Sequence, residues 1–187
     1  MNTKANKISQ VNKVTKIAIS LVIAILFSFQ FAFASDINQK NVIDLINQER
    51  TSRGVPALKV DSDLNQAAAL KSKDMINRSY FDHYAHGLTP WDFITMSGYN
   101  YLYAGENLGM DFNTSEGLVK AWMNSPTHRD NILNPDFIET GIGVVKGEYT
   151  ENGYVHSTTM VSNMFGRKKP TILKVFDYIA KNIFGSF

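Results

Sequence analysis

Apolar residues recur at helical spacing along the first part of the chain and at strand spacing along the last. In "NVIDLINQERTSRG" (41–54), Val42, Ile43, Leu45, Ile46 and Glu49 share one helical stripe, and Gly54 supplies a stop. After the "VPALKV" turn, Asp61 or Ser62 caps a second helix, "DLNQAAALKSKDMINR", whose inward face carries Leu64, Ala67, Ala68, Leu70, Met75 and Ile76. A short third helix starts at Thr89-Pro90 and ends at Gly98. A fourth, "SEGLVKAWMN", is capped by Asn113 or Thr114. A fifth follows at once, with Ser125 as N-cap and Pro126 at its first position, and closes before Asn134-Pro135. Then the period changes. "IETGIGVVKGEY" and "YVHSTTMVSNMF" are β-rich and separated by "TENG", which predicts an antiparallel hairpin pairing 138–148 with 154–165. Helices first and a hairpin last argue for an α+β domain rather than for βαβ units.

The two ends of the chain read differently. Lys4, Lys7, Lys13 and Lys16 precede "IAISLVIAILFSF", and the stretch ends in the A-x-A pattern of Ala32 and Ala34. Charged region, apolar region and small-residue site describe a secretory signal over residues 1–34, cleaved between Ala34 and Ser35. The competing reading is a retained anchor, since residues 17–34 just reach the roughly 18 apolar residues that a membrane span takes. A domain over 35–166 follows, and then a tail over 167–187. In the tail Ile172, Val175, Phe176, Ile179, Ala180 and Ile183 form one helical stripe opposite Lys174, Asp177, Lys181 and Asn182. Such a basic amphipathic end lies on an anionic membrane surface, docks on its own domain or meets a partner.

Charge and cysteine content narrow the function. The whole chain is formally +2, but the leader holds four lysines and no acid. The domain without leader and tail has 10 basic and 16 acidic residues, a net −6. Nucleic-acid binding is disfavoured, because phosphate neutralisation drives it. There is no cysteine, so thiol nucleophiles, zinc-thiolate sites and disulfides are all excluded.

The stretches "YFDHYAHGLTPWD", "YAGENLG", "AWMNSPTHRDNIL" and "GIGVV", in this order and spacing, resemble the CAP superfamily, also called the SCP domain, in its cysteine-free bacterial branch. The resemblance runs from about Val42 to Phe165. It implies a three-layer α-β-α sandwich with a small antiparallel sheet and a cleft where two histidines and acidic residues gather. Some relatives bind a divalent metal such as zinc in that cleft. Carried over, His83 is similar to the first histidine, Glu106 of "GEN" to the first acid and His128 to the second histidine. The second acid of eukaryotic relatives falls three residues after a tryptophan. Here Ser125 stands at that distance from Trp122.

His83 and His128 can supply two neutral nitrogens to Zn2+, a weak site that waters or a substrate group must complete. The first turn of a helix and the adjacent Arg129 both disfavour a charged His128. Glu106 has three open roles. It orients a histidine, acts on a bound water, or accepts backbone hydrogen bonds to brace a tight turn between Gly105 and Asn107. His86 and His156 read as solvated, Trp91 and Trp122 as core, and Tyr99, Tyr101 and Tyr103 as core in part. Arg129 is expected to pair with Asp130 or Glu139.

The preferred expectation is a secreted or envelope-associated, non-enzymatic binding module. Its cleft holds a divalent metal or small apolar ligand, and its partner is an extracellular protein, an envelope component or a lipid. The resemblance supports this, since some relatives bind sterols or fatty acids and others act through protein partners. The alternative is a zinc-assisted, peptidase-like hydrolase using His83, His128 and Glu106. No Gly-x-Ser-x-Gly or HExxH motif is present to support ordinary serine-hydrolase or zincin chemistry. A third reading is an envelope protein tethered by its tail.

Overall fold

The computed structural model describes residues 37–172 and 176. The leader over 1–34 and the greater part of the amphipathic tail, residues 173–175 and 177–187, lie outside the described residues. Among the described residues no helix is long and apolar enough to cross a membrane.

Within the described residues, five helices and four strands follow in chain order. They are α1 (Gln39–Thr51), β1 (Lys59–Val60), α2 (Ser62–Arg78), α3 (Pro90–Met96), β2 (Tyr101–Met110), α4 (Ser115–Asn124), α5 (Pro126–Leu133), β3 (Glu139–Glu151) and β4 (Tyr154–Lys168). The expected caps hold at three starts. The Asp61 carboxylate accepts from the Asp63 and Leu64 amides, Thr114 caps α4, and Thr89 forms a reciprocal capping box with Asp92. Asn38 caps α1 in the same way. Ser125 does stand at the N-cap of α5, in extended backbone, but its hydroxyl makes no capping bond and faces the Thr127 hydroxyl instead. Pro126 starts that helix without help, because its ring fixes φ and it has no N–H to satisfy.

The sheet order is β1-β3-β4-β2. β3 and β4 form the expected hairpin, carried further than expected toward the turn, around Asn152 (φ 51°) and Gly153 (φ 83°). Positive φ at both loop residues is the two-residue Asn-Gly turn whose twist matches the strands. β4 runs two residues past the expected domain end at Gly166. The sheet is not purely antiparallel: β1 pairs parallel with the start of β3, through Lys59 and Val60. β2 was not anticipated. Its "YAGENLG" core reads as turn-rich in sequence, yet it pairs antiparallel with β4 along its length.

Alternation along the strands sends successive residues to opposite layers. Ile142, Val161 and Phe165 face α1, α4 and α5, where Val42, Ile46, Leu118 and Trp122 complete one core. On the other face Met164 packs with Leu64, Ala67, Ala68 and Phe93, and Met160 with Met75 and Leu108. This is the α-β-α sandwich. The "GIG" glycines allow its closest contact. A Cβ on Gly141 would lie 2.1 Å from the Leu64 carbonyl carbon, and one on Gly143 2.3 Å from that of Ala68.

One expectation about α2 fails. Leu70 is 39% exposed, while Lys71 and Ser72 are fully buried. The helix lies directly on backbone at Gly141 and Gly143, and positions 71 and 72 fall on the same buried stripe as Leu64, Ala67, Ala68, Met75 and Ile76, whereas Leu70 falls beside it. Ser72 donates to the Gly143 carbonyl (3.1 Å), and Lys71 points toward the loop that follows α2. α1 also buries a charge, Arg50, that its apolar stripe did not announce. Trp122 is core, with its indole N–H on the Leu108 carbonyl (2.7 Å), and Tyr99 is fully buried. Trp91 and Tyr101 are partly buried, whereas Tyr103 is 44% exposed.

Candidate histidine–glutamate site

Each residue of the "GEN" tripeptide has a separate place in β2. Gly105 faces Phe137, where a Cβ would come within 2.8 Å of the ring. Glu106 points to the α2 side. Asn107, one residue on, points to the α5 side and is fully buried. The Asn107 side chain donates to the His128 carbonyl (3.0 Å) and accepts from Asn131 (2.9 Å), while Asn131 also donates to the Glu106 carbonyl (3.0 Å). These three bonds lash the first two turns of α5 to β2. His128 is carried to the edge of the sheet by them.

On the other side, Glu106 is buried, its side chain only 2% exposed, whereas that of His83 is 42% exposed. Glu106 Oε2 lies 2.5 Å from His83 Nδ1, and Glu106 Oε1 accepts from the Ser162 hydroxyl at 3.3 Å. A carboxylate is acceptor-only, so its partner Nδ1 carries a proton, and in the neutral ring Nε2 is the nitrogen left with a lone pair. Both carboxylate oxygens are thus engaged, and the free nitrogen of His83 belongs to the exposed end of the ring. Glu106 orients a histidine from within a strand. The reading of Glu106 as the brace of a tight turn is corrected, because positions 105–107 are extended and laddered to β4.

His128 is half-buried, and its imidazole is held below the ordinary value, first by burial and then by its electrostatic interaction with His83. The two rings therefore feel each other electrostatically. His128 is biased to stay neutral, as expected, but not by its neighbour. Arg129 lines a groove of about 780 Å³ with Leu45, Glu49 and Val119, away from the site. Nor does Arg129 pair with Glu139, whose carboxylate accepts the Tyr99 hydroxyl at 2.5 Å. His83, Glu106 and His128 do not line that groove.

The loop carrying His83 is shaped locally. Asp82 accepts from the Tyr84 amide (3.0 Å), and His86 adopts positive φ (54°) and is exposed, its ring set edge-on to Tyr80. His156 is half-buried and packs edge-on to Tyr149, 5.7 Å between centroids, rather than standing free in solvent. Among the described residues no group of three or more His, Asp or Glu side chains is placed to hold a metal. The donor set fits at most two imidazole nitrogens, with Glu106 behind one of them as a supporting partner.

The site residue missed in sequence is Lys71. Its ammonium donates to the carbonyls of Asp82 (2.8 Å) and His83 (3.0 Å). The signal available was its helical spacing from Leu64, Ala67 and Ala68, which puts a lysine on the buried stripe.

The chain is similar to several bacterial proteins. It is 44% identical over 110 residues to the uncharacterized protein YkwD of Bacillus subtilis, covering 58% of this chain and 42% of the relative. It is 31% identical over 117 residues to the uncharacterized membrane protein YlbC of the same organism, covering 62% and 34%. The matched stretch thus spans less than half the length of these relatives. Among solved structures, an extracellular SCP-domain protein of Bacillus anthracis superposes with a TM-score of 0.60 at 27% identity, covering 70% of this chain and 40% of the other. An outer surface protein of Borrelia burgdorferi shares the fold, with a TM-score of 0.59 at 21% identity, covering 73% of this chain and 100% of the other. The family model of the cysteine-rich secretory proteins matches residues 43–164, the stretch that builds most of both cores and holds His83, Glu106 and His128. By fold, by motif and by that match, this chain belongs to the cysteine-rich secretory protein (CAP) family.

Proposed function

We propose that this chain is a non-enzymatic binding module acting outside the cell, in the medium or at the envelope, whose cleft offers the free His83 nitrogen beside a neutral His128. The observation that carries this reading is the 2.5 Å bond from buried Glu106 to His83 Nδ1, with the second carboxylate oxygen on Ser162. A carboxylate so engaged fixes a ring and its tautomer. Its side chain is only 2% exposed and already spends one bond at each oxygen, so it is poorly placed to reach and activate a water. The hydrolase alternative needs such a water within reach, and so has less support.

Two imidazole nitrogens suit a borderline-soft cation such as Zn2+ better than Ca2+ or Mg2+, which prefer oxygen. Where zinc is held, His83 and His128 are its ligands and Glu106 strengthens the first. A site of two protein ligands is weak and keeps open positions that a partner or ligand group completes. An exported location is supported by the leader's composition and by the similarity to an extracellular protein of Bacillus anthracis.

The test is calorimetric titration of the full chain with Zn2+, beside a His83→Ala/His128→Ala double variant, with peptide hydrolysis followed in parallel. The expected result is a weak single site that the double variant loses, with no turnover in either protein. Zinc-dependent turnover abolished by Glu106→Gln would overturn the non-enzymatic reading. An absence of zinc binding would remove the metal from it and leave the cleft to apolar ligands and protein partners.

A further inference from the structure

Lysine is the least expected residue at a fully buried position of α2, since a bare ammonium in a core is strongly disfavoured unless its donors are met. At Lys71 they are met from one direction. Nζ donates to the Asp82 carbonyl (2.8 Å), the His83 carbonyl (3.0 Å) and the Tyr80 hydroxyl (3.3 Å). The Tyr80 hydroxyl in turn donates to Asp74 at 2.6 Å. The rings of Tyr80 and Phe93 flank the charge at 4.9 and 5.3 Å from their centroids. Every donor of the ammonium is thus spent on the segment 80–83, which ends at the site histidine.

The same charge has a second neighbour. Glu106 is a buried carboxylate, and among the described residues its one ion-pair partner is His83, which is charged only when protonated. Lys71 stands within electrostatic reach, and Glu106 is the foremost of the acids that oppose the effect of burial on its ammonium. Burial lowers the hold of Lys71 on its proton, and the carboxylates of Glu106, Asp74 and Asp82 oppose that. The ammonium and Glu106 thus both face the histidine loop.

We propose that Lys71 is the positioning residue of the histidine–glutamate site, its ammonium clamping the Asp82 and His83 carbonyls so that the His83 ring meets Glu106. The claim rests on the geometry of the site and not on what the cleft binds. A methionine of similar length would fill the same space, so a role in packing alone makes a different prediction.

The experiment is solution NMR on the isotopically labelled full chain, without metal. The Lys71 ammonium protons should be visible at neutral pH and coupled across hydrogen bonds to the carbonyl carbons of Asp82 and His83. In Lys71→Met, exchange of the His83 Nδ1 proton with water should quicken at least tenfold, while the Trp122 indole proton on Leu108 keeps its shift and protection. Lys71→Arg, which restores a cation with several donors, should recover part of the loss. Unchanged His83 exchange in Lys71→Met overturns the proposal, and so does a wild-type ammonium without those couplings. If Lys71→Met unfolds, losing the Trp122 signal as well, the wild-type couplings decide alone. A failure to bind zinc would touch none of these readouts.

Discussion

Arg50 offers the sharpest test of how the second histidine is held in place. Its guanidinium is 1% exposed and makes four bonds to main-chain carbonyls, with no carboxylate partner among the described residues. Nε donates to Pro56 (2.8 Å), Nη1 to Ile132 (2.7 Å) and Asn134 (2.9 Å), and Nη2 to Phe137 (3.0 Å). Ile132 lies in the last turn of α5 and Asn134 is its C-cap, so these include carbonyls the helix itself leaves without a donor. One arginine therefore bolts α1 to the end of the helix that carries His128. Arg50→Met keeps the apolar stem and removes every donor. The Pro56 and Asn134 carbonyls are partly buried, so water replaces the guanidinium there; the bonds to Ile132 and Phe137 are buried, and no water does so. Two buried acceptors left unsatisfied cost about 2 kcal/mol each, or about 4 kcal/mol together. Relief of the buried cation offsets part of this, and breaking so tight a cluster adds to it. At roughly 4 °C per kcal/mol for a domain of this size, the melting temperature falls by about 16 °C. Thermal melts and urea titration of the full chain, with an unchanged m-value, measure it. Arg50→Lys should recover less than half, since one ammonium cannot reach four carbonyls. A loss below about 1 kcal/mol in Arg50→Met would refute the reasoning, because the carbonyls would then have other donors.

Gly143→Ala forces a Cβ to within 2.3 Å of α2 backbone, and should cost about 3 kcal/mol or prevent folding; a melting temperature within about 2–3 °C of wild type, roughly the effect of less than 1 kcal/mol, would contradict the close packing of α2 on the hairpin. Glu106→Gln replaces a charge-assisted acceptor by a neutral one, and should cost about 1 kcal/mol with the fold kept; if zinc binds, its affinity should fall about 10- to 100-fold, read by calorimetry. The folded His128 imidazole sits below its ordinary 6.5, so just under that pH the unfolded chain binds more protons than the folded one. Its contribution is complete above pH 6.5 and is lost as pH falls from there through the lowered folded value, so stability measured from about pH 7.5 to 5 should decline less steeply in His128→Asn. Thr89→Ala removes the α3 capping box at a cost of about 1 kcal/mol, read as a melting shift of about 4 °C.

Glu106 shows why the site was legible only in part. Its identity as a site residue could be read from "GEN" beside "SPTHRDNIL", since the resemblance carries both stretches. Its role could not, because glycine and asparagine around it signal a turn locally, and β4 overrides that signal by supplying a partner along the whole of β2. His128 was expected to be biased toward neutrality by its own helix, whereas burial and the interaction with His83 are what lower it, and both come from elsewhere in the chain.

By itself the sequence determined what is local. Caps at Asp61, Thr89 and Thr114, Pro126 at a helix start, the Asn152-Gly153 turn and the change of period after Pro135 all act within a few residues, through backbone geometry that neighbours impose. Tertiary structure decided what depends on contact between distant segments. It let a lysine occupy the buried stripe of α2, because the Asp82 and His83 carbonyls and the Tyr80 hydroxyl meet the Lys71 ammonium there. It spent Arg50 on carbonyls more than 80 residues away, and closed His83 onto Glu106 across 23 residues. Buried charges are placed by the unpaired groups they meet, and those groups exist only once the chain has folded.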